Sequence, residues 1–351
     1  MVRLLEFVVA IVIVFILAVL FGVALPNHGH IERTLEISNP PRQVYDSIDG
    51  FSTYPSWSAL SSYDTAVKFT PSGPVTGKGA KIDWASTSPQ IGNGSLTIDS
   101  DQQDTQVKML LENDWKGLNK TYTIGLAPTQ NGKTVKITWA YDADYGWDLV
   151  ARYSGLYLEG DPAAQIQLNL GKLSNTLATV PLVDYKDTVI EVVDVVAKPV
   201  LMVSTSAKRS LDEVADATDK ATGLINDVIK KNKLAANGPR TTVTTNWGDD
   251  TYSFDVLVPV DRNDITLPED GPVKAASSFA GKALKNTFTD SPALLPLVRL
   301  KLKAYALTHG YKFDDTTETG AGRFFDELTT TDPAAADDQQ SFNVYLPIQT
   351  Q

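Results

Sequence analysis

Residues 254–260 read Phe-Asp-Val-Leu-Val-Pro-Val, and residues 342–348 read Phe-Asn-Val-Tyr-Leu-Pro-Ile. Each copy is an apolar strand stopped by a proline, which has no N–H to give to a ladder. Similar stretches precede both. Before the first copy the pattern predicts a strand over Pro199–Ser204, a helix to about Lys233 and a strand over Thr241–Trp247; the copy itself lies in a strand over Tyr252–Pro259. Ser210 is placed to cap that helix, with Glu213 completing a capping box. In the second half the pattern predicts a strand over Pro272–Phe279, a helix over Leu294–His309 ended by Gly310, and strands near Arg323–Leu328 and Ser341–Pro347. A duplicated strand-helix-strand-strand unit implies a pseudo-symmetric domain with a cleft between its halves, and clefts are where small molecules bind.

The other end of the chain is governed by a different solvent. Phe7 to Leu25 is nineteen residues without a charge. At about 1.5 Å rise per residue such a helix spans roughly 30 Å, the thickness of a bilayer's hydrocarbon core. A cleaved signal peptide is the competing reading, since Gly22 and Ala24 offer a small-x-small site. The run exceeds the usual apolar region of a signal peptide, however. The expectation is an uncleaved single-pass anchor in a bacterial inner membrane, with the soluble domains outside the cytoplasm. Arg3 and Glu6 on one side, and Arg33 and Arg42 on the other, give the positive-inside rule little to act on.

Between these ends the punctuation is that of an antiparallel meander. Ile31–Ile37 alternates apolar and polar, and Ser38-Asn-Pro-Pro41 opens a short helix. Strand-like runs follow at Ala66–Phe69, Ala80–Trp84, Gly94–Ile98, Gln106–Leu111, Lys120–Leu126 and Thr134–Tyr141, separated by Gly, Asn, Asp and Pro clusters. From Trp147 to Leu177 the pattern turns helical, with Pro162 starting or kinking part of it.

Glu32-Arg-Thr-Leu-Glu-Ile-Ser-Asn-Pro-Pro41, the aromatic turn Phe51–Trp57, Ser72-Gly-Pro74 with Gly77-Lys-Gly-Ala80, and the ending Leu168–Leu177 together resemble the START/polyketide-cyclase (SRPBCC) superfamily. That resemblance implies a sheet gripping a long C-terminal helix around a hydrophobic cavity, and brings no shared catalytic residue. Lys198-Pro-Val-Leu-Met-Val203, Leu224–Leu234, Tyr252–Val260, Ala293–Tyr311 and Tyr345-Leu-Pro-Ile348 resemble the GyrI-like, or effector-binding, domain. Members of that family often carry a cation-pairing glutamate at the start of the last strand; here the position is Asn343. The expected fold class is therefore α+β: an anchor over 1–27, a helix-grip domain over 28–180, and a duplicated β-α-β-β domain over 181–351.

Composition removes several kinds of chemistry. Thirty-one Lys and Arg against forty-two Asp and Glu leave a net charge of −11, the wrong sign for nucleic acid. The chain has no cysteine, and its three histidines are His28, His30 and His309. Gly73-Pro-Val-Thr-Gly77-Lys78-Gly79 has one residue too few between its glycines for a phosphate loop, and glycine where serine or threonine is needed. Asp142-Ala-Asp144-Tyr-Gly146-Trp-Asp148 lacks the later ligands of a calcium loop, and Asp148 suits a helix cap instead. No cofactor and no metal site is expected.

Candidate ligand-binding residues are Trp57, Trp84, Trp115 and Trp139 in the first domain, where rings either fill the core or line a cavity. In the second they are Trp247, Tyr252, Asp255, Tyr305, Phe324, Asn343 and Tyr345. The expected function is a membrane-anchored protein that binds a small hydrophobic or cationic-hydrophobic ligand without catalysis. A cyclase- or hydrolase-like enzyme using a buried carboxylate, and an interaction module with filled cavities, remain the alternatives.

Overall fold

The computed structural model describes residues 2–129, 134–314, 323–330 and 340–349. The chain divides into two compact units, Met1–Leu182 and Val183–Gln351. It is an α+β protein with an N-terminal apolar helix and two antiparallel sheets.

Helix α1 (Val2–Ala24) has no proline before Pro26 and no charge after Glu6. Its apolar side chains point away from the protein, with Phe15 67% exposed. A soluble helix hides one face; this one hides none, and it is long and apolar enough to cross a membrane. Its last turns are held by α5 (Leu149–Ser154). Arg152 donates to the carbonyls of Val23 and Leu25, two of the acceptors a helix end leaves open. The Tyr153 hydroxyl donates to the Ala18 carbonyl at 2.6 Å. Gly22 permits this approach, since a Cβ there would lie 3.1 Å from the Tyr153 ring.

The first unit's sheet runs in the order β1-β7-β6-β5-β4-β3-β2, from β1 (His28–Ile37), β2 (Lys68–Ser72), β3 (Lys81–Ala85), β4 (Asn93–Gln102), β5 (Gln106–Glu112), β6 (Leu118–Thr129) and β7 (Thr134–Asp144). Short helices α2 (Pro41–Ile48), α3 (Tyr54–Trp57) and α4 (Leu60–Tyr63) fill the connection from β1 to β2. The long helix α6 (Asp161–Leu177) carries Pro162 in its first turn and buries Ala163, Ile166, Leu170, Leu173 and Leu177. That spacing of three and four makes one stripe. Each large apolar residue contributes roughly 1.5–3 kcal/mol on burial. Polar groups fix the helix lengthwise: Asn39 donates to the Leu177 carbonyl, and the Ala59 N–H donates to Asn169. On β4, Gly94 lies opposite Trp84, whose ring would sit 2.3 Å from any added Cβ, so the indole is laid across the bare backbone.

The second unit is built on a palindrome. Its sheet order is β12-β9-β11-β10-β14-β15-β13-β8. The first repeat is β9 (Pro199–Lys208), α7 (Leu211–Lys231), β10 (Thr241–Trp247) and β11 (Thr251–Pro259). The second is β13 (Gly281–Thr289), α8 (Leu295–Thr308), β14 (Phe325–Leu328) and β15 (Ser341–Pro347). They meet where β10 pairs β14, at Thr241–Val243 against Phe325–Glu327. The two near-identical strands, β11 and β15, occupy equivalent places. The second repeat starts nine residues later than the alternation predicts, at Gly281 and not at Pro272. The expected strand over 272–279 is β12 (Val273–Ser277), an edge strand added beside β9, as β8 (Glu191–Val195) is added beside β13. The true first strand, β13, carries Lys282, Lys285, Asn286 and Thr287, so its composition hides it. Ser210 caps α7 through the Glu213 N–H.

Candidate functional site

Between the N-terminal halves of α7 and α8 the second unit opens a cleft of about 810 Å³, within the size range of small-molecule sites. Its floor comes from the strands of both repeats: Thr242 and Trp247 on β10, Tyr252 on β11, Asp326 and Leu328 on β14, Phe342 on β15. The rings of Trp247 and Tyr252 meet at 4.8 Å, and Tyr252 stacks on Phe254 at 4.6 Å.

Charge is organised around these rings. Arg299 of α8 forms a buried ion pair with Asp326, with a second contact from Nε to Oδ1 at 3.4 Å. Its guanidinium also lies 3.5 Å from the Tyr252 hydroxyl, which is 3.1 Å from that of Thr244. Burial alone would disfavour the Arg299 charge, but Asp326 and Tyr252 outweigh it and hold the group above its ordinary value. Arg209 lays its guanidinium 4.3 Å over Trp247 and donates to the carbonyls of Gly248 and Asp249. Arg240 reaches Asp219 only at 3.4 Å, and its Nε is buried without a hydrogen-bond partner. Burial lowers its affinity for the proton, and Asp219 restores part of it.

Of the residues expected in the second unit's cleft, Trp247 and Tyr252 line it. Asp255, Asn343 and Tyr345 lie on the opposite face of the sheet. On β11 the inward positions are Tyr252, Phe254 and Val256, packed with Ala221 and Ile225 of α7. The period-two pleat therefore turns Asp255 away, where it accepts from Ser204. On β15, Phe342, Val344 and Leu346 face inward. Asn343 accepts from Thr287, and the Tyr345 hydroxyl donates to Glu327. Phe324 belongs to the core beneath α8, and Tyr305 stacks on His309 at 3.8 Å and stands edge-on to Tyr185. Sequence reasoning missed Arg209, Arg240, Arg299 and Asp326. The available signal was charge set in apolar runs: Arg299 within Leu-Val-Arg-Leu, and Asp326 after Phe324-Phe325.

In the first unit, Trp57 and Trp139 meet edge to face at 6.1 Å, with Tyr54 and Tyr122 against their other sides. Trp84 is buried over Gly94, and Trp115 stands edge-on to Tyr141 at 5.5 Å. The acidic run that ends β7 and continues to Asp148 is engaged by histidine and by a helix. His28 lies 3.1 Å from Asp144 and His30 2.7 Å from Asp142, and Asp148 caps α5 through the Ala151 N–H.

Asp49, just past α2, is the carboxylate most altered by its surroundings. Desolvation, then the negative charge of Asp101, pushes it from 3.8 up to about 7; one of its oxygens is buried without a partner. A raised carboxyl favours the fold while protonated and loses that contribution as pH rises through the window from about 4 to about 7. Asp49→Asn is therefore expected to match the parent at about pH 4 and to exceed it at about pH 8. The gain is about 1–2 kcal/mol once solvent screening of a half-buried group is allowed for. Denaturant melts at the two pH values check it, and equal stability at both would contradict it.

No family profile matches the chain, and no curated protein matches it. Several solved structures are similar over about half its length. A hydrolase from Listeria innocua is 12% identical, over 46% of this chain and 91% of that one, with a TM-score of 0.34. The EcmrR C-terminal domain is 8% identical, over 47% and 99%, with a TM-score of 0.39. Norcoclaurine synthase from Thalictrum flavum, in complex with dopamine and hydroxybenzaldehyde, is 14% identical, over 45% and 90%, with a TM-score of 0.35.

Proposed function

We propose that this protein is a membrane-tethered receptor for a small molecule, with the cleft between α7 and α8 as its binding site. The observation that carries the proposal is the cleft itself: about 810 Å³, floored by Trp247 and Tyr252 and walled by arginines, of which Arg240 keeps a buried donor unmet. A pocket with apolar rings and a few fixed polar groups is the general form of a ligand site. The palindromic sheet supports assigning the second unit (from about residue 181) to the effector-binding type. The meander packed on α6 supports assigning residues 28–180 to the helix-grip type. In that first unit burial favours Trp57, Trp84 and Trp139 as core, while Trp115 is half-buried against Tyr141.

The tether is α1. Arg152 and Tyr153 fasten its last two turns to the first unit, which supports a helix retained with the protein. The exposed Trp147, 81% exposed, and Tyr157, 75% exposed, lie in the same segment as α5; aromatic rings of this kind favour the level of the lipid headgroups.

Native mass spectrometry of the detergent-purified chain, followed by a thermal-shift screen, tests the binding reading. A co-purifying small molecule, or a hit whose shift is lost in Trp247→Ala, is the expected result. Truncating that ring is expected to weaken binding by about 2 kcal/mol, roughly 30-fold. A broad set without a hit, and nothing co-purifying, would overturn it.

A further inference from the structure

We infer that the ligand of this cleft is an anion carried on an aromatic or apolar body, a carboxylate foremost. The inference rests on the binding role proposed above and concerns which charge the cleft accepts. A cation in a partly dry pocket needs a carboxylate that is free to meet it. Of the three among the described lining residues, Asp326 is the buried one, and it is already engaged by Arg299 through two nitrogens. Asp212 and Asp219 stand at the exposed rim, Asp219 with its side chain 79% exposed, where water screens what they offer. The residues that point the other way are better placed. Arg240 keeps a buried Nε–H with no acceptor, and its ion pair among the described residues is at 3.4 Å to that exposed Asp219. An unmet buried donor is unfavourable, the more so on a charged group; an incoming carboxylate oxygen removes that cost. Arg209 is held by backbone carbonyls and spread over Trp247, with no carboxylate partner among the described residues. A flat apolar body on the Trp247 and Tyr252 rings, beside Arg209 and with its anionic group toward Arg240, satisfies both halves of the cleft. Guanidinium forks suit planar carboxylates for the geometric reason that two parallel N–H bonds fit two oxygens.

Matched probes on one ring system decide this. Naphthoate, naphthylmethylamine and naphthalene methanol are titrated by calorimetry into the full-length chain in a neutral detergent. Naphthoate is expected to bind at least about 10-fold more tightly than the amine or the alcohol, with an affinity that falls as salt is raised. Arg240→Gln is expected to remove most of that preference. Arg209→Gln, an exposed change that leaves the interior intact, is expected to reduce it separately, so the result stands even if the Arg240 variant folds poorly. If the amine binds more tightly than the acid, the charge assignment is wrong while the cleft remains a binding site. If all three bind equally and neither arginine variant changes naphthoate, the inference is overturned and the cleft is a purely apolar site. If none binds, the charge assignment and the receptor reading fail together.

Discussion

Asp326→Asn is expected to destabilise the second unit by about 3–5 kcal/mol, because it strands the Arg299 guanidinium in the interior without its counter-charge. The Arg299 side chain is only 10% exposed and that of Asp326 3%. Their pair costs desolvation that mutual attraction repays only while both are present. For a unit of this size the loss corresponds to roughly 10 °C in melting temperature, readable by calorimetry as a shift of one transition. The pair also positions the cleft: Arg299 sits 5.7 Å from the Tyr252 ring and 6.0 Å from that of Trp247. The variant is thus expected to bind ligand poorly even below its melting point. Arg299→Met combined with Asp326→Leu removes both charges and keeps the volume, and is expected to recover most of the stability without the binding. A single variant that melts within about 2 °C of the parent would mean that water reaches the pair and that the interior is wetter than its burial implies.

Such a pair shows where sequence reasoning stops. Local periodicity is legible: the strands of the first unit follow their alternation to within a few residues, and the Ser210 and Asp148 caps fall where the side-chain chemistry puts them. The duplicated strand announced the palindrome. Two kinds of information are missing from local pattern. One is parity. Alternation sets Asn343 and Tyr345 on one face and Phe342 and Val344 on the other, but only the packing of α7 and α8 says which face carries the cleft. The other is pairing at a distance. Arg299 and Asp326 are 27 positions apart, and each alone reads as a solvated charge. Arg240, at the start of a strand after Gly238-Pro239, reads as loop. Aromatic residues at the β10–β11 hairpin, Trp247 and Tyr252, were recognisable because bulky rings beside a turn must either pack or line something. Here they do both.

The second large effect lies at the other end of the chain. Full-length protein is expected to float with lipid vesicles and to resist alkaline extraction, whereas the chain beginning at Asn27 is expected to stay soluble. Helix α1 carries seventeen Val, Leu, Ile and Phe residues. At about 0.3–0.6 kcal/mol each, their insertion is favourable by on the order of 7 kcal/mol, with Arg3 and Glu6 near one end where water reaches them. A lysine at the centre costs about 3 kcal/mol and removes one favourable residue. Val12→Lys alone is therefore expected to leave the protein largely on the vesicles. Val12→Lys with Ile16→Lys brings the sum to about zero and is expected to release it. This graded response separates a spanning helix from a signal sequence, because a removed segment makes the lysines irrelevant to the mature protein. Intact mass of the membrane-extracted chain reads the same question directly. A mature protein starting just after Ala24, soluble with or without the lysines, would show that α1 is a leader. The contacts of Arg152 with Val23 and of Tyr153 with Ala18 would then be absent from the working molecule, and Arg152 would keep only the Leu25 carbonyl at the new amino terminus.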